Sequence, residues 1–122
     1  MALPRFTLIA FRVALAMALF VTMYLATTQQ NLPMFDDAND KVKHFLAFYV
    51  LAFLADYSAP KVRFNLGKGL TILGYGLLIE VIQYFLPNHE FSFFDLAADG
   101  VGIVTYVLSQ PAVSRINILR RR

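Results

Sequence analysis

His44, Glu80, Asp95 and Asp99 are an imidazole and three carboxyl groups placed in or at the edge of long apolar runs. An imidazole can give or take a proton near neutral pH, and a carboxylate can accept hydrogen bonds, move a proton or bind a cation. General acid–base work is the first chemistry open to them, with His44 or Glu80 as the base and Lys41 holding an anion. A divalent cation on His44, Glu80, Asp95 and Asp99 is the second. The sequence has no tight ligand spacing such as His-Glu-x-x-His, so neither a metal nor another cofactor is expected. It has no cysteine, which removes disulfides, thiolate ligands and cysteine nucleophiles.

Spacing places these groups on helix faces. Asp40 and His44 are four apart, and Lys41 and His44 three apart, so the three share a face at the start of one helix. Asp40 can also cap that helix, and a capped, solvated helix start is the plain structural reading of this block. Glu80 and Gln83 are three apart on a second helix, with Glu80 about 9 Å below its far end at the helical rise. A carboxyl at that depth must be protonated, paired or facing a wet cavity. Asp95 and Asp99 are four apart on a third helix; Asp95 suits its N-terminus, and Asp99 lies roughly 6 Å deeper. His89, Glu90 and Ser92 precede that helix. The shared depth predicts one polar pocket lined by His44, Glu80, Gln83, Asp95 and Asp99, with Lys41 and His89 at its mouth.

The elements that must carry these residues are membrane spans. Hydrophobic residues make up 58% of the 122 residues and charged ones only 16%, against roughly 25% in a soluble domain. So few charges cannot cover a water-soluble fold. Four apolar runs predict an all-α integral membrane bundle of four transmembrane helices in a single domain, 1–122, with spans of about 6–27, 41–58, 67–86 and 94–110. The first run is long for a signal-peptide core, and Tyr24-Leu25-Ala26 is a poor cleavage site, so it is expected to stay as a helix. Arg12 near its start is expected to snorkel to the interface. Pro60, Pro87 and Pro111 mark the ends of the second, third and fourth runs. Ala14 and Ala18, Ala98 and Gly102, and Gly67, Gly74 and Gly76 supply small residues for close helix approach.

Lys and Arg placement sets the orientation. Arg5 and Arg12, then Lys61, Arg63 and Lys68, then four arginines in the tail lie on one side; the last loop between spans has none. The positive-inside rule puts both termini in the cytoplasm and the polar pocket on the outward side. The basic excess is therefore a topology signal. It has no aromatic-interleaved basic stripe and is not read as nucleic-acid binding.

Three blocks of this sequence resemble the VanZ-like family of small bacterial membrane proteins. They are Asp40-Lys41-Val-Lys-His44-Phe45, Glu80-Val-Ile-Gln83, and Phe91-Ser92-Phe-Phe-Asp95-Leu-Ala-Ala-Asp99-Gly100. The family pattern is Asp-Lys-x-x-His-Phe, then Glu-x-x-Gln, then Arg-x-Phe-Ser-x-x-Asp-x-x-x-Asn followed by Gly, and the match spans about half the chain, Asp40 to Gly102. His89 stands where the family has Arg, which weakens phosphate or carboxylate binding because an imidazole is mostly neutral near pH 7. Asp99 stands where it has Asn, which adds a carboxyl beside Glu80. The family is named for a protein linked to low-level resistance to the glycopeptide teicoplanin. The resemblance implies a multi-pass protein of the bacterial cytoplasmic membrane connected to the cell envelope.

Three functions fit. An envelope protein would bind or process a lipid-linked precursor, a glycopeptide or another amphiphile in the outward pocket, with membrane lipids as its surroundings. A structural or interaction subunit would use the same polar groups to hold helices together, although such hydrogen bonds average only ~0.6 kcal/mol. A proton-coupled transporter of this size would need a partner chain, and the small multidrug transporters place their essential Glu in the first helix, where this chain has no acid.

Overall fold

The computed structural model describes residues 4–27, 37–86 and 93–115, apart from the side chains of residues 37–40. It contains α1 (Arg5–Thr27), α2 (Asp37–Ser58), α3 (Leu66–Tyr84) and α4 (Phe93–Val113). The apolar runs form helices because hydrocarbon offers no partner for open backbone groups, and a helix satisfies its own.

The helix ends refine the expected spans. α2 begins at Asp37 rather than at residue 41 and is 22 residues long, about 33 Å at the helical rise. Its polar first turns carry no hydropathy signal, which is why the run looked short. α3 stops at Tyr84, and Phe85 and Leu86 close it with bonds to the Ile82 and Gln83 carbonyls at 3.1 Å each. At its start Asn65 caps the helix, its side chain accepting from Lys68 N at 2.9 Å. α4 passes through Pro111 to Val113, where an exit at Pro111 was expected. Pro111 has no N–H to give the Val107 carbonyl four residues back, so the helix loses one bond there and ends within a turn. Ser114 N still donates to Gln110 O at 2.9 Å, and Ser114 Oγ donates to Pro111 O at 3.0 Å.

Contacts fix an alternating up-and-down arrangement. Arg12 Nε donates to Ser58 O at 3.0 Å, and Phe11 packs on Phe53 and Tyr57, so the start of α1 meets the end of α2. Arg12 thus caps a neighbouring helix end instead of merely reaching for the interface. Lys68 at the start of α3 meets Asp56 at the end of α2. Tyr75 OH donates to Leu19 O and bonds Thr22, and Gln83 Nε2 donates to Ala26 O at 2.9 Å, so α1 and α3 run in the same direction. Lys41 meets Asp95 at one end and Asp56 meets Tyr106 at the other, so α2 and α4 are parallel neighbours. These two share the largest interface. Gly102 makes it possible: a Cβ there would collide with the Phe45 carbonyl and stand 3.1 Å from Tyr49 N.

α1, α3 and α4 are each long and apolar enough to cross a membrane. α2 carries Lys41, Lys43 and Asp56 within its last eighteen residues, but it is also well enclosed, burying Phe48, Leu51, Ala52, Leu54 and Tyr57. The core joins Phe48, Leu51 and Ala52 to Ile72, Ile79, Ile103 and Tyr106 from α3 and α4, with Ala18 of α1 packed against it. Outside, large apolar side chains such as Phe20, Leu25, Leu70, Leu77, Val104 and Leu108 are exposed on three helices, and α1 buries no residue. A surface of that kind fits a bundle solvated by lipid.

Candidate functional site

Lys41, His44, Glu80, Asp95 and Asp99 come together at the end of the bundle opposite the α2–α3 turn. Each arrives by the local geometry of its own helix. Lys41 and His44 lie one turn apart on α2, and Asp95 and Asp99 one turn apart on α4, so the two parallel helices present matched pairs. Lys41 Nζ donates to Asp95 Oδ1, and His44 Nδ1 lies 2.7 Å from Asp99 Oδ1. His44 Nε2 is 3.6 Å from Asp95 Oδ2. Glu80 enters from α3, and one ligand-capable atom from each of His44, Glu80 and Asp95 lies within 4.8 Å of the others.

Burial separates the members. Glu80 and Asp99 are fully enclosed, Asp95 is 7% exposed, and the Lys41 side chain is 36% exposed. Lys41 therefore stands at the mouth and the carboxylates form the floor. Gly76 of α3 admits Asp99: a Cβ at that position would lie 2.6 Å from Asp99 Oδ2 and 3.0 Å from the Phe48 ring. The expected role of glycine in α3 thus rests on Gly76, since a Cβ at Gly74 would meet nothing within 4 Å and one at Gly67 only its own cap residue, Asn65, at 3.4 Å.

Gln83 departs from the expected pocket. A step of three residues turns about 60° short of a full circle at 100° per residue, and that offset aims Gln83 at α1, where it holds Ala26 O. His89, Glu90 and Ser92 lie outside the described residues, as does the side chain of Asp40.

A second polar cluster, at the opposite end, was not expected from the sequence. Asp56 is fully buried in the last turn of α2. Lys68 Nζ donates to its Oδ1 at 3.1 Å and to the carbonyls of Asp56, Ala59 and Val62 at 3.1, 2.8 and 2.6 Å. Tyr106 OH donates to Asp56 Oδ2 at 2.6 Å, and Gln110 Nε2 to Tyr57 OH at 3.3 Å. One signal was available: an acid in the last turn of a helix opposes the macrodipole and calls for a cation nearby. Lys68, twelve residues on, supplies it and satisfies the open carbonyls of the α2 end as well.

The chain matches no family model, no curated protein and no solved structure. The chemistry is therefore read from the cluster itself. A half-exposed ammonium over an imidazole and three buried carboxylates can bind a cation, hold the polar head of an amphiphile, or move protons among neighbouring groups.

Proposed function

We propose that this chain is a VanZ-like, four-span protein of the bacterial cytoplasmic membrane whose polar pocket faces outward and receives a lipid-linked or amphiphilic envelope ligand. The reading takes both termini as cytoplasmic, from the arginines and lysines gathered at the α2–α3 turn and the chain ends. It extends to a link with glycopeptide resistance of the teicoplanin type through the three sequence blocks. The observation that carries it is the convergence of Lys41, His44, Glu80, Asp95 and Asp99 from three helices at one end of the bundle. Ionisable groups at membrane depth mark ligand or ion paths more often than packing.

The surroundings suit an amphiphile. An exposed apolar groove is lined by Val81, Tyr84 and Phe85 at the end of α3 and Phe93 at the start of α4, the kind of surface an acyl or prenyl chain can cover.

The test is ligand-dependent thermal stability of the purified chain in detergent, with teicoplanin and a polyprenyl diphosphate titrated separately into wild type, Glu80→Gln and Asp99→Asn. A saturable rise in melting temperature in wild type, absent from both variants while their ligand-free melting temperatures are unchanged or raised, supports the pocket. No rise with either compound, together with a clear drop in both ligand-free variants, makes the cluster helix packing and the chain an interaction subunit.

A further inference from the structure

The residues at the floor of the pocket have the donor set and arrangement of a metal centre that the linear sequence conceals. We propose that His44 Nε2, Asp95 Oδ2 and a Glu80 carboxylate oxygen bind one divalent transition-metal ion, held from behind by Asp99 and Lys41, with a coordination position left open toward the mouth. The proposal concerns the pocket named above and rests on its being a ligand site.

The first argument is distance. An ion bound at about 2.1 Å separates neighbouring ligand atoms by roughly 3 to 4 Å. His44 Nε2 and Asp95 Oδ2 are 3.6 Å apart, longer than a hydrogen bond and within that range. A Glu80 carboxylate oxygen lies within 4.8 Å of one ligand-capable atom each of His44 and Asp95, so a small side-chain adjustment of Glu80 would complete the set. The donors come from α2, α3 and α4, and no local spacing motif can encode such a site.

The second argument is orientation. With Asp99 Oδ1 accepting from Nδ1 at 2.7 Å, Nε2 becomes the nitrogen that would meet the ion, and it lies 3.6 Å from Asp95 Oδ2. A carboxylate behind a histidine fixes the ring and its tautomer at metal centres. Lys41 does the same for Asp95: it takes Oδ1 and leaves Oδ2 turned to His44.

The third argument is charge. Buried carboxyl groups from Glu80, Asp95 and Asp99 stand beside Lys41 and His44, and a divalent ion would stabilise their ionised forms where the apolar surroundings do not. Mixed imidazole and carboxylate donors suit Zn²⁺, Mn²⁺, Fe²⁺ or Co²⁺ better than Mg²⁺ or Ca²⁺, which favour oxygen alone. Three protein ligands leave room for an anionic headgroup oxygen.

The experiment uses the full chain in detergent, stripped with a chelator and dialysed against micromolar Zn²⁺ or Co²⁺, with bound metal measured by mass spectrometry and the Co²⁺ form by visible absorption. One equivalent in wild type is expected, with absorption bands of a nitrogen-ligated ion. His44→Ala and Glu80→Gln are expected to lose the equivalent, and Asp99→Asn to weaken it by about 10- to 100-fold. Circular dichroism on each variant confirms that the helices persist. Less than a tenth of an equivalent in folded wild type, or a full equivalent retained in folded His44→Ala, overturns the proposal. Less than a tenth of an equivalent of metal together with an amphiphile-dependent rise in melting temperature leaves the ligand pocket standing without the metal centre. One equivalent of metal without any amphiphile effect leaves the metal centre standing without the amphiphile.

Discussion

The two ends of the bundle use the same residue types to opposite effect. At the α2–α3 turn, one buried carboxylate, Asp56, meets one ammonium, Lys68, and the hydroxyl of Tyr106; three backbone carbonyls also accept from Lys68. At the other end, among the described residues, the Glu80, Asp95 and Asp99 carboxyls gather with Lys41 and His44. The first set is balanced in charge and closed by geometry. The second is rich in acid and opens at Lys41. A buried ion pair of the first kind fastens helices, whereas an acid-rich set in the same surroundings is disposed to take a cation or a polar ligand.

The comparison breaks most readily at Asp56. Asp56→Ala leaves Lys68 and Tyr106 at a buried site without their carboxylate, and a loss of about 3 kcal/mol is expected, toward the low end for a broken buried pair because Lys68 keeps its carbonyls. Unfolding in mixed micelles followed by circular dichroism measures it. A loss no larger than that of Asp99→Asn would erase the distinction between the two ends.

A middle effect is expected at Gly76→Ala. The new methyl presses on the Asp99 carboxylate and the Phe48 ring, and overpacking of this kind costs about 1–3 kcal/mol. Gly74→Ala, whose methyl meets nothing, is the control and gains helix propensity of up to about 1 kcal/mol. Equal melting temperatures for the two variants would show that α3 and Asp99 are not in close contact. The smallest effect is expected at Lys41→Ala. Its side chain is 36% exposed, so its pair with Asp95 is partly screened and the change in stability should stay below about 1 kcal/mol. A larger drop in the same assay would make Lys41 a fastening residue like Lys68.

Much of this was legible in the sequence, for reasons that can be assigned. Apolar runs announce membrane helices because lipid imposes one secondary structure on them, and α1, α3 and α4 carry that signal over their full length. α2 hides its first turns because they are polar. His44, Glu80, Asp95 and Asp99 were found because an ionisable residue in an apolar run is conspicuous, and Lys41 because it shares a helix face with His44. Gln83 was misplaced because same-face spacing on one helix does not say which neighbour that face meets. Asp56 was missed because its partner lies across a turn, and Lys68 read as an orientation signal is indistinguishable from Lys68 used as a helix clasp. A cation on His44, Glu80 and Asp95 was open from their residue types, but their adjacency was not readable because they belong to three helices.

Gly102 sets a limit on how the pocket can move. Where it meets Phe45, α2 and α4 touch main chain to main chain, one residue from His44 and three from Asp99. Side chains can repack under load, but backbones in contact cannot come closer. His44 and Asp99, nearest that contact, sit at the tightest point of the α2–α4 seam, and Lys41 and Asp95 lie about one turn farther out.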